Sequence, residues 1–343
     1  MKSIVLTENK KLIKKEIPIP DPQKGEYLVR IRSVGVCNSD IFRGFDGGAY
    51  DYPLVMGHEI SGEIFDIGEN VKKYKVGQNV VVFPLIPCRE CISCKEKQWV
   101  HCSNYDYYGS RRDGGFQEFL LVKEWNMIPF EDNISHDIAC LCEPVAVCCR
   151  AIKILKNGTK DDEVAIFGAG ILGIVSAILL KEKLGFRNVS VIDRNKFKLE
   201  LIKPLGINGI HFDEVKNYNN KFNFVLEASG ALQTYHSSIK LAAPNATIVW
   251  LGNIQDNITF NKKEISSILR KELIIKGSWN SEYQNGINDD WREALNLIKT
   301  SSWLSKIVTH KISLEELPKM LERMYQIKKK YQIHNILKVI VNI

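Results

Sequence analysis

The stretch that most constrains the fold is residues 163–193, EVAIFGAGILGIVSAILLKEKLGFRNVSVID. A short apolar strand leads into a glycine-rich turn, an apolar helix follows, and a second strand ends at Asp193. In such a turn Gly168 allows the tight bend, Gly170 lets a pyrophosphate approach the backbone, and Gly173 lets the helix pack on the strand. The segment therefore predicts a dinucleotide-binding βαβ unit, with a glycine-rich turn of some other α/β domain as the alternative.

The acid at the end of the second strand predicts which dinucleotide binds. The Asp193 carboxylate can accept hydrogen bonds from the adenosine ribose hydroxyls and would repel a 2′-phosphate, which favours NAD over NADP. Arg194 follows directly and could bind a 2′-phosphate, so NADP stays open as the alternative. The candidate cofactor-binding residues lie in the turn, at the helix start and at the strand end: Gly168, Gly170, Ile171, Leu172, Gly173, Asp193 and Arg194.

The hydropathy of the chain predicts a cytoplasmic protein without a membrane partner. The N-terminal stretch MKSIVLTENKKL has no apolar core of a signal peptide. The longest apolar run, AIFGAGILGIVSAILL, is shorter than a membrane span and is interrupted by glycines. Thiols stay reduced in the cytoplasm, so clustered cysteines there bind metal more often than they form disulfides.

Four cysteines lie within residues 87–102, PCRECISCKEKQWVHC, with the spacing C-x2-C-x2-C-x7-C. Four thiolates on short loops can surround one zinc ion tetrahedrally and leave no position for water or substrate, which is typical of a structural zinc site. The predicted ligands are Cys88, Cys91, Cys94 and Cys102.

A zinc ribbon that binds nucleic acid is the main alternative for this segment, because the formal net charge of the chain is +7. Basic and acidic residues alternate here, so they do not form the one-signed patch that a phosphate backbone requires. The basic residues are Arg89, Lys95 and Lys97, and the acidic ones are Glu90 and Glu96. We therefore expect no nucleic-acid partner.

The pattern of strands and helices predicts an α/β protein with two domains. Residues 1–148 contain strand-like segments bounded by glycine and proline and predict a mostly β domain that includes the four-cysteine segment. Residues 149–280 alternate strands and helices, with GIHF, FNFVLEA, ATIVWLG and ELIIKG as further buried strands. They predict a doubly wound parallel sheet of the Rossmann type, and residues 281–343 complete the chain.

Six residues of the β-rich part have side chains suited to catalysis. A thiolate, an imidazole and carboxylates that are far apart in sequence can form a mixed ligand set with one position open on a zinc ion. Each residue alone has an ordinary structural explanation, and only the combination favours a catalytic site. They are Cys37, Ser39 and Asp40 in GVCNSD, His58 and Glu59 in GHEISG, and Glu143 in CEPVAV.

These motifs together resemble the zinc-dependent medium-chain alcohol and polyol dehydrogenases over nearly the whole chain. GVCNSD, GHEISG, the four-cysteine segment, DGGFQEF, EPVAV and the glycine-rich turn follow one another in the order of that family. The resemblance implies a GroES-like catalytic domain formed by both ends of the chain, with the Rossmann domain inserted between them. It also implies a catalytic zinc held by Cys37, His58 and Glu143, with Glu59 as a further ligand or a base, and a homodimer or homotetramer.

The reaction that the resemblance implies is oxidation of a secondary hydroxyl of a small polyol. Zinc would lower the pKa of the bound hydroxyl, and the carbon of the resulting alkoxide would transfer hydride to NAD. Ser39 would take the hydroxyl proton, and Asp40 would orient the imidazole of His58.

Two segments, YDYYGSRRDGGFQEF and ILRKELIIKGSW, resemble the members of the family that oxidise polyol phosphates. Arg111 and Arg112 would bind the phosphate, because an arginine fork can contact two phosphate oxygens. The alternative is that both arginines are solvated loop residues. Oxidation of an unphosphorylated polyol or a secondary alcohol, such as sorbitol or butanediol, also stays open, as does a non-catalytic relative that only binds the cofactor.

Overall fold

The computed structural model describes residues 1–71, 73–155, 158–254, 256–284, 289–330 and 332–343. They form two compact units, Met1–Pro144 with Glu282–Ile343, and Val145–Ser281. The second unit is thus an insertion in the sequence of the first, and the predicted boundaries at residues 148 and 280 fall close to its ends. No helix within the described ranges is long and apolar enough to cross a membrane.

The first unit is built mainly from β-strands. Its strands are β1 (Lys2–Leu6), β2 (Leu12–Glu16), β3 (Glu26–Gly35), β4 (Leu54–Val55), β5 (Glu59–Ile67), β6 (Asn79–Val82), β7 (Leu85–Ile86), β8 (Asp106–Tyr107), β9 (Phe119–Lys123), β10 (Met127–Pro129), β17 (Val308–Ser313) and β18 (Lys338–Asn342). Its helices are α1 (Asn38–Phe45), α2 (Ile92–Lys95), α3 (His136–Ala139), α9 (Asp290–Thr300), α10 (Leu304–Ile307) and α11 (Leu317–Lys329), while α4 (Cys142–Lys153) crosses the unit boundary. Short 3-10 helices cover Trp99–His101, Glu124–Asn126 and Leu314–Glu316.

A seven-stranded sheet organises this unit, in the order β10-β6-β5-β3-β18-β17, with β9 also pairing with β3. The central strand β3 carries alternating apolar residues, and Tyr27, Val29 and Ile31 lie in the core. The last strand, β18, pairs antiparallel with the end of β3, so that Ile340 lies opposite Gly35. Both ends of the chain therefore contribute to one sheet.

The second unit contains a six-stranded, fully parallel sheet. Its strands are β11 (Glu163–Phe167), β12 (Asn188–Asp193), β13 (Asn208–His211), β14 (Phe222–Glu227), β15 (Ala242–Trp250) and β16 (Ile274–Gly277). Its helices are α5 (Ile171–Glu182), α6 (Lys196–Ile202), α7 (Leu232–Leu241) and α8 (Lys262–Arg270), with 3-10 helices at Lys203–Leu205 and Phe212–Tyr218. The order β13-β12-β11-β14-β15-β16 reverses direction at β11, as in a doubly wound Rossmann sheet, which confirms the predicted fold class.

The last strand of this sheet differs from its prediction. The apolar segment ELIIKG predicted a buried strand, but β16 is the edge strand beside β15, and Ile274 is 59% exposed. An edge strand has a neighbour on one side only, and a local apolar run does not distinguish it from a central strand.

Candidate active site and metal centres

The first cluster of candidate ligands consists of Cys37, His58 and Glu59, whose ligand atoms all lie within 4.8 Å of one another. His58 is 5% exposed and Glu59 is 1% exposed, whereas Cys37 is only half-buried. A thiol, an imidazole and a carboxylate at this separation have the donor chemistry and spacing of a zinc site with an open position.

Strand pairing brings these three side chains together. Glu59 begins β5 and lies directly opposite Gly35 at the end of β3. Cys37 lies two residues after Gly35 and immediately precedes α1. A Cβ at Gly35 would overlap the Glu59 carboxylate, so this position has room only for glycine. Gly57 has a φ of 91°, a left-handed conformation that favours glycine, immediately before His58.

Asp40 lies next to two members of the cluster, and its role as the residue that orients His58 stays a prediction. Its Oδ2 accepts a hydrogen bond from the backbone N–H of Cys37 at 2.9 Å, and its Oδ1 lies 3.5 Å from Nδ1 of His58. Burial alone would raise the pKa of the Asp40 carboxyl, but the charge of His58 and the neighbouring Arg43 hold it below its usual value. Burial alone would lower the pKa of His58, but the negative charges of Asp40 and Cys37 raise it well above its usual value.

Lys338, which the sequence analysis missed, forms a buried ion pair with Glu59. Its ammonium group donates hydrogen bonds to the Glu59 carboxylate and, at 3.0 Å, to the backbone carbonyl of Val36. Both side chains of the ion pair are 1% exposed. The only signal in the sequence is a lysine next to the apolar run VIV in the last strand. Lys338 therefore holds one side of the Glu59 carboxylate inside the unit.

Glu143, predicted as the third zinc ligand, lies at the start of α4 and is 7% exposed. Within the described ranges the compact ligand cluster contains Glu59 and does not include Glu143. Burial and the like charge of Glu59, opposed by the charge of His58, raise the pKa of Glu143 to about 7. Glu143 thus belongs to the same electrostatic environment, and its assignment as a zinc ligand stays a prediction.

Two hydroxyl groups accompany this cluster. Ser39 lies in the first turn of α1, between Cys37 and Asp40 in sequence, and its role as proton acceptor stays a prediction. The ring of Tyr107 lies 6.0 Å from that of His58 in an edge-to-face arrangement. Burial raises the pKa of Tyr107 well above its usual value, so its hydroxyl keeps its proton. The sequence analysis missed Tyr107, which stands in a tyrosine-rich stretch without an individual signal.

The second cluster consists of the four predicted cysteines, whose sulfur atoms all lie within 4.8 Å of one another. The sulfur atoms of Cys88 and Cys94 are 3.9 Å apart, and a tetrahedral zinc site with Zn–S bonds of about 2.3 Å has sulfur–sulfur edges of about 3.8 Å. Backbone N–H groups support the sulfurs, and the hydrogen bond from Cys91 to Cys88 Sγ is 3.5 Å long. Hydrogen bonds from backbone N–H groups lower the pKa of Cys91 to about 6. The geometry fits a closed zinc site.

Aromatic packing attaches this four-cysteine lobe to the first unit. Trp99, in the 3-10 helix before Cys102, packs edge-to-face on Trp125 with ring centroids 5.9 Å apart. Trp125 in turn contacts Phe83 at 5.5 Å and Tyr283 at 5.3 Å. Ordering the lobe therefore also orders an aromatic cluster that includes residues from both segments of the first unit.

The glycine-rich turn of the second unit has the geometry of a pyrophosphate site. Gly168 has a φ of 97°, and a Cβ on Gly173 would overlap the carbonyl oxygen of Gly168. A Cβ on Gly170 would meet no atom within 4 Å, so the backbone there faces open space. The N-terminus of α5 has no side-chain cap, and its backbone N–H groups can therefore bind an anion.

Asp193 holds this turn by hydrogen bonds to the backbone. Its Oδ2 accepts from the N–H of Ala169 at 2.6 Å, and its Oδ1 accepts from the N–H of Asn195 at 2.8 Å. Lys198 on α6, which the sequence analysis missed, interacts electrostatically with Asp193, and burial lowers its pKa. The negative Asp193 and the positive Lys198 are thus both close to the position that the ribose of a dinucleotide would occupy.

The two arginines predicted to bind a phosphate have different surroundings. The Nε of Arg112 lies 2.7 Å from Oδ2 of Asp106, so a carboxylate already neutralises its charge. Arg111 lies between two aromatic rings, 4.1 Å from the ring centroid of Tyr50 and 4.4 Å from that of Tyr105. Their role as phosphate ligands stays a prediction.

Two families match this chain. Residues 23–132 match the alcohol dehydrogenase GroES-like domain, and residues 136–333 match the glucose dehydrogenase C-terminus. The matched ranges contain all the predicted zinc ligands and the glycine-rich turn.

Individual relatives match most or all of the chain. The chain is 31% identical to galactitol 1-phosphate 5-dehydrogenase of Escherichia coli strain K12 over 326 residues, which cover 92% of this chain and 94% of that protein. It is 28% identical to D-altritol 5-dehydrogenase of Agrobacterium fabrum strain C58 over 326 residues, with the same coverage. The crystal structure of galactitol-1-phosphate dehydrogenase from Escherichia coli covers 100% of both chains at 29% identity, with a TM-score of 0.89.

The two ligand clusters predict two zinc ions per chain with different consequences for stability. Cys37→Ser and Cys94→Ser are matched variants, since each removes one thiol from one cluster. Each should lower the zinc content by about one ion per chain. Cys94→Ser should also cost more than about 4 kcal/mol of stability, because the lobe and its aromatic packing would lose their order. Elemental analysis and thermal unfolding measure both effects, and a single zinc in the wild-type chain would contradict the two-site interpretation.

The buried ion pair predicts a large effect of Lys338→Met on stability. Removing the lysine leaves the Glu59 carboxylate buried without its cation, which should lower the free energy of unfolding by about 3–5 kcal/mol. Lys311→Met is the matched control, because Lys311 on the adjacent strand pairs with Asp137 with its side chain 58% exposed. This control should cost at most about 1 kcal/mol. Urea unfolding curves give the free energy of unfolding of both variants. Equal losses of stability in Lys338→Met and Lys311→Met would show that burial does not determine the strength of an ion pair in this protein.

Proposed function

Because the chain belongs to the zinc-dependent medium-chain alcohol and polyol dehydrogenases, we propose that it oxidises a secondary hydroxyl of a polyol phosphate with NAD as the hydride acceptor. The substrate that we propose is galactitol 1-phosphate, with tagatose 6-phosphate as the product. Membership of this family supports the oxidoreductase activity. The identity of the substrate and the choice of NAD require an experimental test.

The observation that carries the proposal is the cluster of a half-buried thiol, a buried imidazole and a buried carboxylate within 4.8 Å of one another. Zinc, when bound, supplies a Lewis acid that lowers the pKa of a coordinated hydroxyl, and NAD supplies the hydride acceptor. Cys37 and His58, with Glu59 or Glu143 as the carboxylate ligand, would hold the zinc. Gly168, Gly170 and the N-terminus of α5 would hold the pyrophosphate of the cofactor.

The remaining residues of the site orient groups and move a proton. The Asp40 carboxylate lies 3.5 Å from Nδ1 of His58 and would orient the imidazole toward the metal. Ser39, in the first turn of α1, accepts the proton of the substrate hydroxyl and passes it outward. Lys338 holds the Glu59 carboxylate in place, and the ring of Tyr107 packs edge-to-face on the imidazole, so that its hydroxyl would be available to a second hydroxyl of the polyol.

The phosphate on the substrate is proposed from the relative that is 31% identical, together with the arginine-containing loop. D-altritol 5-dehydrogenase matches over the same share of the chain and has an unphosphorylated polyol in its name, so oxidation of a free polyol is the second candidate. Both candidate reactions would use the same metal cluster. They differ only in whether a positively charged side chain must bind a phosphate at one end of the substrate. A homodimer or homotetramer stays a prediction.

A substrate panel separates the two candidates. We expect wild-type protein with NAD to oxidise galactitol 1-phosphate with a higher kcat/KM than galactitol, D-altritol, sorbitol or butanediol, measured through the absorbance of the reduced cofactor. His58→Ala should abolish turnover with every substrate, because the imidazole is a predicted zinc ligand. Preference for a free polyol over its phosphate would refute the polyol-phosphate assignment and favour the second candidate. Absence of turnover with every alcohol would favour a non-catalytic relative.

The position of Asp193 predicts preference for NAD over NADP. Its carboxylate would repel a 2′-phosphate, so Asp193→Ala should narrow the ratio of kcat/KM between the two cofactors. Since Asp193 also holds the glycine-rich turn, the absolute kcat/KM with NAD should fall as well. Arg194→Ala is the control, and it should leave the preference for NAD unchanged. Wild-type preference for NADP would instead identify Arg194 or Lys198 as the residue that determines cofactor choice.

A further inference from the structure

Glu227 is a buried acid of the second unit to which neither the sequence analysis nor the proposed mechanism gives a task. It is the last residue of β14, and its exposed fraction is 0%. In the parallel pairing of β11 with β14, Glu227 lies beside Phe167, the residue that precedes Gly168 of the glycine-rich turn. The acid therefore lies at the carboxyl end of the sheet, next to the predicted pyrophosphate site.

This position in the sheet is the one at which a doubly wound sheet binds its ligand. The strand order β13-β12-β11-β14-β15-β16 reverses at β11, which has β12 on one side and β14 on the other. Ligands bind in the crevice outside the carboxyl ends of the strands at such a reversal. The turns that follow β11 and β14 therefore border the predicted dinucleotide crevice.

The two turns contact each other directly. A Cβ on Gly168 would lie 3.0 Å from the Cβ of Ser229 and 3.1 Å from its Cα, so the glycine leaves room for the turn after β14. The backbone N–H of Ala228 also donates a hydrogen bond to the carbonyl of Phe167 at 3.0 Å. The turn of residues 228–231 thus lies against the start of the glycine-rich turn, and a shift of one turn would disturb the other.

The Glu227 carboxylate holds the turn of residues 228–231. Its Oε1 accepts hydrogen bonds from the backbone N–H groups of Ser229 at 2.9 Å and Gly230 at 3.0 Å. The Ser229 hydroxyl donates to the same oxygen at 2.6 Å, and the hydroxyl of Thr234, in the first turn of α7, lies 2.8 Å from it. These donors replace the hydration that the carboxylate loses on burial. One carboxylate oxygen therefore ties the turn and the start of α7 to the end of β14.

Glycines around the carboxylate allow the neighbouring backbone to approach it closely. Gly230 has a φ of 71°, and a Cβ there would lie 2.6 Å from the carbonyl oxygen of Asn253. A Cβ on Gly252 would overlap the Glu227 carboxylate, while the backbone N–H of Gly252 donates to the Glu227 carbonyl at 2.9 Å. The turns after β14 and β15 are therefore packed against the acid without room for a side chain at these glycines.

We propose that Glu227 is a positioning residue for the dinucleotide, which it serves by fixing the turn of residues 228–231 at the border of the crevice. Since Glu227 is fully buried, it acts through the backbone of this turn and makes no contact with the cofactor itself. This inference rests on the proposed function for the identity of the cofactor, and it adds a residue on which the affinity for that cofactor depends.

The kinetic test compares Glu227→Ala and Glu227→Gln with wild-type protein. Glu227→Ala removes the acceptor of the turn and should raise KM for NAD at least about tenfold, the effect expected for loss of a hydrogen bond to a charged group. At saturating NAD and galactitol 1-phosphate, kcat should stay within about threefold, because the metal cluster belongs to the other unit. Glu227→Gln keeps an oxygen that can accept the same hydrogen bonds and should recover most of the affinity for NAD.

Glu264→Ala is the matched control for loss of a buried acid from the same unit. Glu264 is 5% exposed, accepts a hydrogen bond from the backbone N–H of Asn261 at 3.0 Å and pairs with His236 on α7. It lies in the first turn of α8, which follows β15 and not a strand at the reversal. Glu264→Ala should lower the temperature of thermal unfolding, as Glu227→Ala should, but it should leave KM for NAD within about twofold of wild type.

Several outcomes would overturn the role of Glu227. An equal rise of KM for NAD in Glu264→Ala and Glu227→Ala would mean that only the stability of the unit matters. A loss in Glu227→Gln as large as that in Glu227→Ala would mean that the negative charge acts, and not the hydrogen bonds to the turn. If Glu227→Ala does not fold, Thr234→Val replaces it, since this variant removes one hydroxyl donor and should raise KM for NAD about threefold. An unchanged KM for NAD in Thr234→Val would then contradict the proposal.

A binding measurement without an alcohol keeps this inference separate from the proposed function. In a fluorescence titration, NADH should bind wild-type protein at least about tenfold more tightly than Glu227→Ala, with Glu264→Ala close to wild type. If the proteins show this difference and wild type oxidises no polyol or polyol phosphate, the proposed function is wrong while the role of Glu227 stands. If wild type oxidises galactitol 1-phosphate with NAD and NADH binds wild type and Glu227→Ala equally, the proposed function stands and the role of Glu227 is wrong.

Discussion

The ion pair between Lys338 and Glu59 is the constraint that links the candidate site to the fold. Lysine is rarely buried without a partner, because its ammonium group loses hydration that only an acid and hydrogen bonds can replace. Here the partners are the Glu59 carboxylate and the carbonyl of Val36, and all three lie where β18 and β5 flank β3. The carboxylate beside the predicted zinc is therefore in place only when the last strand of the chain has joined the first sheet.

A second constraint acts independently on the four-cysteine lobe. Its helix α2 has four residues, and it is too short to be stable without packing or a metal. Four sulfur atoms within 4.8 Å of one another would repel as thiolates, and a zinc ion at their centre would remove that repulsion. Trp99 and Trp125 then connect the ordered lobe to the core. The lobe and the cluster around His58 are separate sets of candidate ligands, so the order of each depends on different contacts.

The features that the sequence predicted depend on residues that are close together along the chain. The glycine-rich turn, the four cysteines and the alternation in β3 are local patterns, and each corresponds to one element of the structure. Lys338 was missed because its partner lies 279 positions away, and a lysine beside an apolar run predicts only the end of a strand. The exposure of β16 depends on which strand lies beside it, and the run ELIIKG does not contain that information.

The candidate metal ligands and the candidate dinucleotide site belong to different units of the chain. The metal cluster and all the candidate substrate contacts belong to Met1–Pro144 with Glu282–Ile343, whereas the dinucleotide turn belongs to Val145–Ser281. Within the first unit, Glu59 and His58 are fixed by strand pairing, by glycines without room for a side chain and by the buried lysine. The Gly168 turn of the second unit is fixed in another way, by hydrogen bonds from the backbone N–H groups of Ala169 and Asn195 to the Asp193 carboxylate. The ligand cluster and the dinucleotide turn therefore depend on separate contacts, so that a substitution in one unit need not disturb the candidate site of the other.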